Sequence, residues 1–538
     1  MGENGGNELF GRLLRWFSRS TRQPKSEPGT SIHVTEETQE EDTEGLGTIF
    51  NAPESVSAEE AVPVYEAPAE SLQRQDKRSP HQPTRRSRIS FRKIEEDTEA
   101  AGKNSSAPEP IVVDETASIP EAAAEFSHIR TEAPIDLILG VDFGTSATKV
   151  VIRAPYVAGT TPYALPIPEP LRAEESPHLW RSAIWVDPTG MFHLTPVLGA
   201  VEIEDIKANL IEEPSRPLLV LDDGRIVSAR DAATAYLAYV FRNARARFLE
   251  EKHAIYGGAT TLWQSNVGLP AATYDDQALV EFYRRTVAAA WLLSQESDEI
   301  TLESVRRAND HPSAIAAAWD QYEREKLGIE VIPEVAAEVV GFARSTRRRE
   351  GLYALVDVGA GTVDVCTFRL HAPTPGMDRY SMFIADVQPQ GAAVLREWSA
   401  SGNPIAEFRK QVDRTIRGCI WNTKRLRDST AREWRKGLPV FLCGGGRASD
   451  FYKGAAKDIG PWLFMHTGAR QLPTLALDVP EEFDAQTERS NFHRLAVAWG
   501  LSYQKFDIGE LQAPNEIENM PAGRVRDFIG SYVSKDQM

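Results

Sequence analysis

The sequence is poor in cysteine, in long apolar runs and in positive charge, and each shortage excludes a class of protein. Three cysteines in 538 residues (Cys366, Cys419 and Cys443) are too few for a disulfide framework, and their spacing fits no zinc module. We therefore expect a reducing, cytoplasmic compartment. No stretch approaches the ~18 consecutive apolar residues that a membrane-spanning helix needs. The amino terminus lacks the apolar core of a secretory signal, so we expect no secretion.

The charge balance is acidic, which argues against specific nucleic-acid binding. Lys and Arg total 60 against 78 Asp and Glu, which gives a net charge of −18. Domains that bind nucleic acid usually carry a basic face. Hydrophobic residues make up 41% of the chain, enough for a sizeable core. At ~100–200 residues per domain, the length predicts two to four domains.

Residues 1–130 are predicted to form a disordered arm, because their composition cannot bury enough apolar surface to offset the cost of ordering. Their charge is arranged in blocks. From Ser26 to Leu72 there are twelve acidic residues and no Lys or Arg, and from Arg74 to Lys93 there are eight basic residues and one acidic. We interpret the basic block first as a solvated linker that pairs with the acidic block. Contact with nucleic acid or anionic lipid, and a regulated serine segment, stay open as alternatives.

The tip of this arm has the pattern of an amphipathic helix at about residues 7–22. Phe10, Leu13, Leu14 and Phe17 recur at helical spacing, and arginines lie on the other faces. This pattern is typical of an interfacial membrane anchor or of a ligand for a partner's groove. We therefore expect an unknown protein partner or a peripheral membrane contact here. Docking on the chain's own folded part is the alternative.

From residue 131 onward, strand-like and helix-like runs alternate, which predicts an α/β fold. The strand candidates are Leu137–Asp142, Lys149–Arg153, Ser182–Val186, Ser265–Leu269, Tyr353–Asp357, Val363–Phe368 and Pro439–Cys443. The helix candidates are Ala229–Glu251, Tyr274–Leu293, Glu334–Arg344, Gly391–Ser399, Ile405–Arg427 and Asn491–Lys505.

The first motif that points to chemistry is an apolar strand that ends at Asp142. It is followed by Gly144, Thr145 and Ser146 and then by a β-branched strand. Gly144 allows the backbone to approach a ligand closely, and successive N–H groups in such a turn can bind an anion. A carboxylate here suits hydrated Mg²⁺. The alternative is an ordinary hairpin with an Asp-Gly-type turn.

A second segment repeats this pattern with two acids and two glycines, and a third ends in three glycines. The second contains Asp357, Gly359, Ala360, Gly361, Thr362 and Asp364. Two acids beside one turn reduce stability unless a cation compensates them. The third is the strand Val440–Cys443 followed by Gly444, Gly445 and Gly446, which would let backbone lie flat against a nucleoside. The repeated Asp-Gly segments are too far apart for a solenoid repeat and suit two duplicated halves.

In this order, the three motifs resemble the phosphate-1, phosphate-2 and adenosine motifs of the actin-like ATPase superfamily. Other segments resemble the DnaK-type heat-shock chaperones within it. Val267–Asp276 is similar to a strand-then-helix element there, and Val331–Ala337 and Leu495–Leu501 look like the two connecting helices. The resemblance covers about residues 136–504.

The resemblance implies a two-lobed α/β fold, with duplicated ribonuclease-H-like lobes around a central nucleotide cleft. Residues 131–350 would form lobe I. Residues 351–510 would form lobe II, with a reduced upper subdomain and the return helix. Residues 511–538 would form a short tail.

The resemblance also implies roles for individual residues, with ATP and Mg²⁺ as cofactors. Asp142 and Asp357 would flank Mg²⁺ through water, and either carboxylate would orient the attacking water. Lys207 would reach the γ-phosphate, and the alternative for it is a solvated helix lysine. Thr362 joins these three as a catalytic candidate. The residues expected to contact the nucleotide are Gly144, Thr145, Ser146, Gly359, Ala360, Gly361, Thr362, Asp364, Gly444, Gly445 and Gly446.

The implied function is slow, Mg²⁺-dependent hydrolysis of ATP, with lobe closure acting as a nucleotide switch for a partner. Three departures from the DnaK pattern bear on this expectation. Ala360 replaces a common glycine, Pro333-Glu334 reverses the usual order, and the interval from Asp357 to Gly444 is short. The sequence after Leu501 is too short for a peptide-binding domain, so we do not expect a complete refolding chaperone. The alternatives are a filament-forming, actin-like cytoskeletal ATPase and a small-molecule kinase.

Overall fold

The structure is a computed structural model that describes residues 134–519, except 175, 320–326, 373–377, 469–473, 478 and 484–490. The predicted arm, its helix at residues 7–22, the basic block and the tail from residue 520 lie outside the described residues. The regular elements are as follows.

The strands are β1 Ile135–Phe143, β2 Ala147–Arg153, β3 Tyr163–Ala164, β4 Trp180–Arg181, β5 Ile184–Val186, β6 Phe192–His193, β7 Val201–Ile203, β8 Pro217–Val220, β9 Ile226–Ser228, β10 Thr261–Leu269, β11 Ile329–Pro333, β12 Gly351–Val358, β13 Val363–Leu370, β14 Arg379–Gln388, β15 Val440–Cys443 and β16 Glu510–Gln512. The helices are α1 Ile206–Glu212, α2 Ala229–Glu251, α3 His253–Tyr256, α4 Gln277–Leu293, α5 Leu302–Asn309, α6 Pro312–Trp319, α7 Glu334–Ala343, α8 Ala392–Ala400, α9 Ile405–Asn422, α10 Glu433–Lys436, α11 Asp450–Thr467, α12 Phe492–Leu501 and α13 Lys505–Ile508.

The first large sheet is centred on β1, whose residues Leu137–Phe143 are all buried. The strand order is β11-β10-β1-β2-β3, and β4 also pairs with β2. Strands β1 and β2 form an antiparallel hairpin, whereas β10 is parallel to both β1 and β11. A strand that is covered on both faces reads as a continuous apolar run, which is why β1 lacks alternation.

The second large sheet repeats this arrangement around β12, with the order β15-β12-β13-β14-β16. Strands β12 and β13 form an antiparallel hairpin, β15 is parallel to β12, and β14 is antiparallel to β13. In both sheets, the hairpin's first strand pairs in parallel with a later strand. The two Asp-Gly segments that echo each other in the sequence therefore occupy equivalent hairpins in two similar sheets.

Helices α7 and α12 pack against each other so closely that their backbones approach at one point. A Cβ at Gly500 would lie 1.8 Å from the carbonyl oxygen of Ala337. A Cβ at Gly140 would lie 2.3 Å from the carbonyl oxygen of Ala498, so α12 also sits directly on β1. One apolar core around these helices includes side chains of both large sheets, such as Val151 and Phe368.

The predicted class is confirmed in its coarse form, because the described residues form a mixed α/β structure with several sheets. Helix α2 has the predicted bounds. The predicted helix 405–427 ends at Asn422 and continues as a π-helical turn, Thr423–Arg427. The predicted helix 491–505 is shorter and is followed by the separate helix α13. In the part of the chain that the structure describes, no helix has the length and apolarity to cross a membrane.

Candidate functional site

The first hairpin loop, between β1 and β2, is a tight turn held by hydrogen bonds. The N–H of Gly144 donates to the carbonyl of Asp142 over 3.0 Å. The hydroxyl of Ser182 donates to the carbonyl of Gly144 over 2.7 Å and lies 3.0 Å from the hydroxyl of Thr148. A Cβ at Gly144 would lie 2.3 Å from a backbone oxygen, so only glycine fits this turn.

The acid at the end of β1 forms an ion pair across the hairpin. Asp142 is opposite Lys149 in the strand register, and the ammonium of Lys149 lies 2.9 Å from its Oδ2. Burial disfavours the charged ammonium, but attraction to Asp142, and then to Asp357 and Glu334, outweighs that effect and raises the pKa of Lys149. Lys149 is therefore held as a partly buried cation beside the first loop.

The second hairpin loop, between β12 and β13, is attached to the start of helix α8. The N–H of Gly391 donates to the carbonyl of Gly361, and that of Ala392 donates to the carbonyl of Gly359. The N–H of Ala393 donates to the carbonyl of Ala360 over 2.8 Å. These bonds satisfy N–H groups that a helix start leaves unpaired, and they fix the loop in place.

The two hairpin loops face each other directly. A Cβ at Gly361 in the second loop would lie 4.0 Å from Cγ2 of Thr145 in the first. Asp357 and Asp364 are opposite each other in the second hairpin, and Oδ1 of each is buried with no hydrogen-bond partner among the described residues. Burial, then repulsion by Glu334 and Asp142, raises the pKa of Asp357 to about 7.

The loop of three glycines packs on the second hairpin. Gly444 has a φ of +78°, and a Cβ there would lie 2.0 Å from Oδ1 of Asp357. A Cβ at Gly446 would lie 2.3 Å from Val358. Gly445 is exposed and lies near Arg494 of α12, which is paired with Glu174. The glycine loop therefore packs on Asp357, and the first hairpin loop approaches the same hairpin at Gly361.

Helix α7 contributes two more carboxylates to the same region. Glu334, at the start of α7, is ion-paired with Lys207 of α1. Glu338, one turn further along, is buried. Burial is the main cause that raises the pKa of both carboxyls, and the neighbouring acids add to it at Glu338. The alternative that Lys207 is a solvated helix lysine is wrong, because its side chain is buried.

The site therefore concentrates five carboxylates and two ammonium groups, with an excess of negative charge. The carboxylates belong to Asp142, Glu334, Glu338, Asp357 and Asp364, and the ammonium groups to Lys149 and Lys207. Burial, followed by repulsion from Asp357 and Glu334, also raises the pKa of Asp364 well above its usual range. Within the described ranges, no three His, Cys, Asp or Glu side chains are placed to ligate a metal directly.

Sequence reasoning assigned no role to Lys149, Glu338 or Arg494. The position of Lys149 could have been predicted from the sequence, because a tight turn between two strands places this residue opposite Asp142. Glu338 follows Glu334 by four residues and so shares its helix face. Arg494 reaches the glycine loop only through the tertiary fold, and no local pattern marks it.

A separate cavity of about 470 Å³ lies at the opposite end of β12. Its lining includes Glu350, Arg369, His371, Asp428 and Arg432. Glu350 immediately precedes β12, whereas Asp357 lies near its end, so the cavity is about 20 Å from the hairpin loops at the rise of an extended strand. It is not part of the motif site.

No protein-family model and no curated protein matches this chain.

Proposed function

We propose that residues 131–510 form a two-lobed, actin-like ATPase domain of the DnaK type, which binds Mg·ATP between the two hairpin loops. The observation that supports this most is the meeting of the loops at Thr145 and Gly361, with Gly444 packed on Asp357. Three glycine-rich segments that are distant in the sequence therefore lie next to one another, with the second hairpin in contact with both of the others. The repeated strand order of the two large sheets supports duplicated lobes.

In this proposal, the hairpin loops hold the phosphates and the glycine loop holds the adenosine. Ser146 and Gly445 are exposed, so the two loops present backbone towards solvent, where a ligand would enter. Lys149 and Lys207 supply the positive charge that phosphoryl transfer needs on the phosphate oxygens. Both lysines lie close enough to Asp357 to counteract the rise in its pKa.

The free carboxylate oxygens would hold the hydrated Mg²⁺. Asp357 and Asp142 would accept hydrogen bonds from its water shell, and Asp364 would face the same shell from across the hairpin. When bound, the ion neutralises phosphate charge. Asp142 or Asp357 would also accept a hydrogen bond from the attacking water and so orient it towards the γ-phosphate.

The biological output in this proposal is a slow nucleotide switch. The lobes would close on ATP around the contact between α7 and α12, since hinge closure around a ligand is a common switching motion. An unknown partner would read the closed state, with the arm preceding residue 131 supplying the contact. We place this activity in the cytoplasm, with residues 7–22 allowing a peripheral membrane contact.

Nucleotide binding is the first test of this function. Mg·ATP at millimolar concentration should raise the melting temperature, because a ligand that binds only the native state stabilises by RT ln(1 + [L]/Kd). Magnesium without nucleotide, and ATP with excess chelator, are the controls and should give smaller shifts. Absence of any shift with Mg·ATP would contradict the proposed site.

A filament-forming, actin-like ATPase is the second candidate, and one surface loop favours it. Leu198 is fully exposed, and Val197 and Val201 beside it are also exposed. An apolar loop that fits a different surface of the next copy produces head-to-tail assembly. Sedimentation with ATP separates the candidates, because only the filament reading predicts a pellet that Leu198→Asp abolishes.

A further inference from the structure

One buried serine is hydrogen-bonded to the first hairpin loop and to the strand that follows it. Ser182 lies directly after β4, which pairs with the start of β2. Its N–H donates to the carbonyl of Ser146 over 3.2 Å, and its hydroxyl donates to the carbonyl of Gly144 over 2.7 Å. The hydroxyl of Thr148, in β2, lies 3.0 Å from the same serine oxygen. A single residue from a later part of the sequence therefore holds the loop and its outgoing strand at three points.

These contacts come from the buried side of the loop. Ser182 is 3% exposed and Thr148 is fully buried. In the loop itself, Gly144 and Thr145 are half-buried and Ser146 is exposed. Ser182 therefore holds the loop from the side opposite to the one that solvent reaches. The open side is free to receive a ligand without displacing this serine.

The direction of the two hydroxyl groups follows from their partners. A serine hydroxyl has a single proton, and a carbonyl oxygen can only accept. Because the proton of Ser182 is directed at the carbonyl of Gly144, the Ser182 oxygen accepts from the hydroxyl of Thr148. Thr148 therefore orients Ser182, and Ser182 in turn fixes the loop.

Fixing two carbonyl groups of the loop also fixes the direction of two N–H groups. None of the described residues has a cis peptide bond, and in a trans peptide the C=O and the N–H point in opposite directions. The carbonyls of Gly144 and Ser146 point towards Ser182. The N–H groups that share their peptide planes, those of Thr145 and Ala147, therefore point away from it. N–H groups of one tight turn that point to the same side form a concavity that binds anions.

We propose that Ser182 is a positioning residue of the phosphate site in the first hairpin loop. By holding the carbonyls of Gly144 and Ser146, it keeps the N–H groups of Thr145 and Ala147 directed at a bound phosphate group. Thr148 keeps the Ser182 hydroxyl in the orientation that this contact needs. Ser182 itself lies behind the loop and acts only through it. The inference rests on the proposed function, which supplies Mg·ATP as the ligand.

Removal of this hydroxyl in the full chain tests the proposal against a matched buried serine. Ser182→Ala removes the side-chain contacts and retains the backbone contact with Ser146. The control is Ser294→Ala at the end of α4, because Ser294 is 2% exposed and its hydroxyl donates to the carbonyl of Trp291 over 2.7 Å. Each variant loses one buried hydroxyl-to-carbonyl bond, so both should melt a few degrees below wild type.

The two variants should differ in nucleotide affinity. Isothermal titration with Mg·ATP should give a Kd about tenfold higher for Ser182→Ala than for wild type, because small displacements of positioned groups are costly. The Kd of Ser294→Ala should stay within about twofold of the wild-type value, since its lost bond is of the same kind but lies elsewhere. Ser182→Thr retains a hydroxyl and should restore most of the affinity.

Amide hydrogen exchange without nucleotide tests the loop contact independently of the proposed function. The N–H of Gly144 is bonded to the carbonyl of Asp142, and that of Ser182 to the carbonyl of Ser146. Both amides should exchange several-fold faster in Ser182→Ala and at the wild-type rate in Ser294→Ala, because exchange reports local opening. Faster exchange together with no binding of Mg·ATP by the wild type would contradict the proposed function and leave the loop contact in place.

A double substitution tests the role given to Thr148. Thr148→Val keeps the shape and removes the donor, so it should raise the Kd by about threefold. Adding it to Ser182→Ala should raise the Kd no further, because residues that act through one contact are not additive. Three results would overturn the proposal: a wild-type Kd in Ser182→Ala, an equal loss of affinity in Ser294→Ala, or unchanged exchange at Gly144 in Ser182→Ala.

Discussion

Asp357 belongs to the second hairpin and is the residue on which the glycine loop packs. It is the last residue but one of strand β12, lies opposite Asp364 in the hairpin and packs against Gly444. Its Oδ1 has no partner among the described residues. A buried acceptor of this kind is costly unless a ligand completes it, so this carboxylate is the one whose removal should separate folding from activity.

Asp357→Asn keeps the shape of the side chain and removes its charge. Hydrolysis of ATP, measured as phosphate release, should fall by about 100-fold or more, because electrostatic groups in the site act on the transition state. The melting temperature without nucleotide should not fall, since a buried like charge has been removed. Asp142→Asn should show the same loss of hydrolysis. Asp223→Asn, at an exposed turn, is the control, and unchanged turnover in Asp357→Asn would contradict the assignment.

The raised pKa of Asp357 also predicts how stability depends on pH. In the native state this carboxyl titrates at about 7, well above its ordinary value in the unfolded chain. Between these two values the native state binds more protons than the unfolded state, so stability decreases as pH rises. Asp364 and Glu338 shift in the same direction. Burial alone would raise the pKa of Asp187, but its hydrogen bonds outweigh that effect and lower the pKa. The stability that this carboxyl contributes is therefore lost as pH falls rather than as pH rises.

In the presence of a chelator, the melting temperature should therefore decrease from about pH 5 to about pH 7.5. The decrease should be smaller in Asp357→Asn and smaller again when Mg·ATP is bound, because a cation favours the ionised carboxylates. Differential scanning calorimetry at several pH values measures both effects. A wild-type slope equal to that of Asp357→Asn would show that this carboxyl is not perturbed.

At the scale of the elements, two helical glycines allow a matched comparison of glycine-to-alanine substitutions. One lies in a crowded helix crossing and the other next to open space. Gly500→Ala places a methyl group on the Ala337 carbonyl at the crossing of α7 and α12. This substitution should lower the free energy of unfolding by about 1–3 kcal/mol or more, since the backbones of the two helices must move apart. At Gly418 in α9, a Cβ would meet nothing within 4 Å, so Gly418→Ala should stabilise by about 0.5–1 kcal/mol. Urea titration measures both changes, and equal effects would show that the helix crossing tolerates separation.

For some elements, local sequence patterns are sufficient to predict the structure. The hairpins around Asp142 and Asp357 were predictable, because an apolar run, an Asp-Gly turn and a second β-branched run are all local features. The ion pair of Asp142 with Lys149 needs only the register of a tight hairpin. By contrast, Glu338 lies in an apolar stretch of α7, where a single acid resembles an ordinary surface residue until the packing of the helix is known. The same holds for Gly500, whose role depends on a neighbour more than a hundred residues away.

At the scale of the whole molecule, the long amino-terminal arm should supply reach rather than catalysis. Residues 7–22 combine an apolar stripe with arginines, and more than a hundred residues separate them from the described part of the chain. Leu13→Glu with Phe17→Glu puts charge on the stripe and should release the protein from anionic vesicles or from a partner. Flotation with vesicles and a phosphate-release assay measure the two properties.

The control for this double substitution is hydrolysis itself, which should stay at the wild-type rate. A tethered anchor changes local concentration and leaves the catalytic groups unaltered. If the double variant loses activity or melts at a lower temperature, the tip docks on its own folded part, and the anchor reading is wrong.

The two hairpins share a topology but differ in the residues that face each other across their strands. The first pairs an acid with a base, Asp142 with Lys149, whereas the second pairs two acids, Asp357 with Asp364. The two walls of the space between them therefore differ: one carries an ion pair, and the other carries two carboxyl groups whose pKa values are raised by burial. If the proposed Mg·ATP site is correct, the phosphate anion should lie towards Lys149 and the cation towards the second hairpin. Two hairpins of the same topology would thus impose one orientation on such a ligand, whereas two hairpins with identical residues would not.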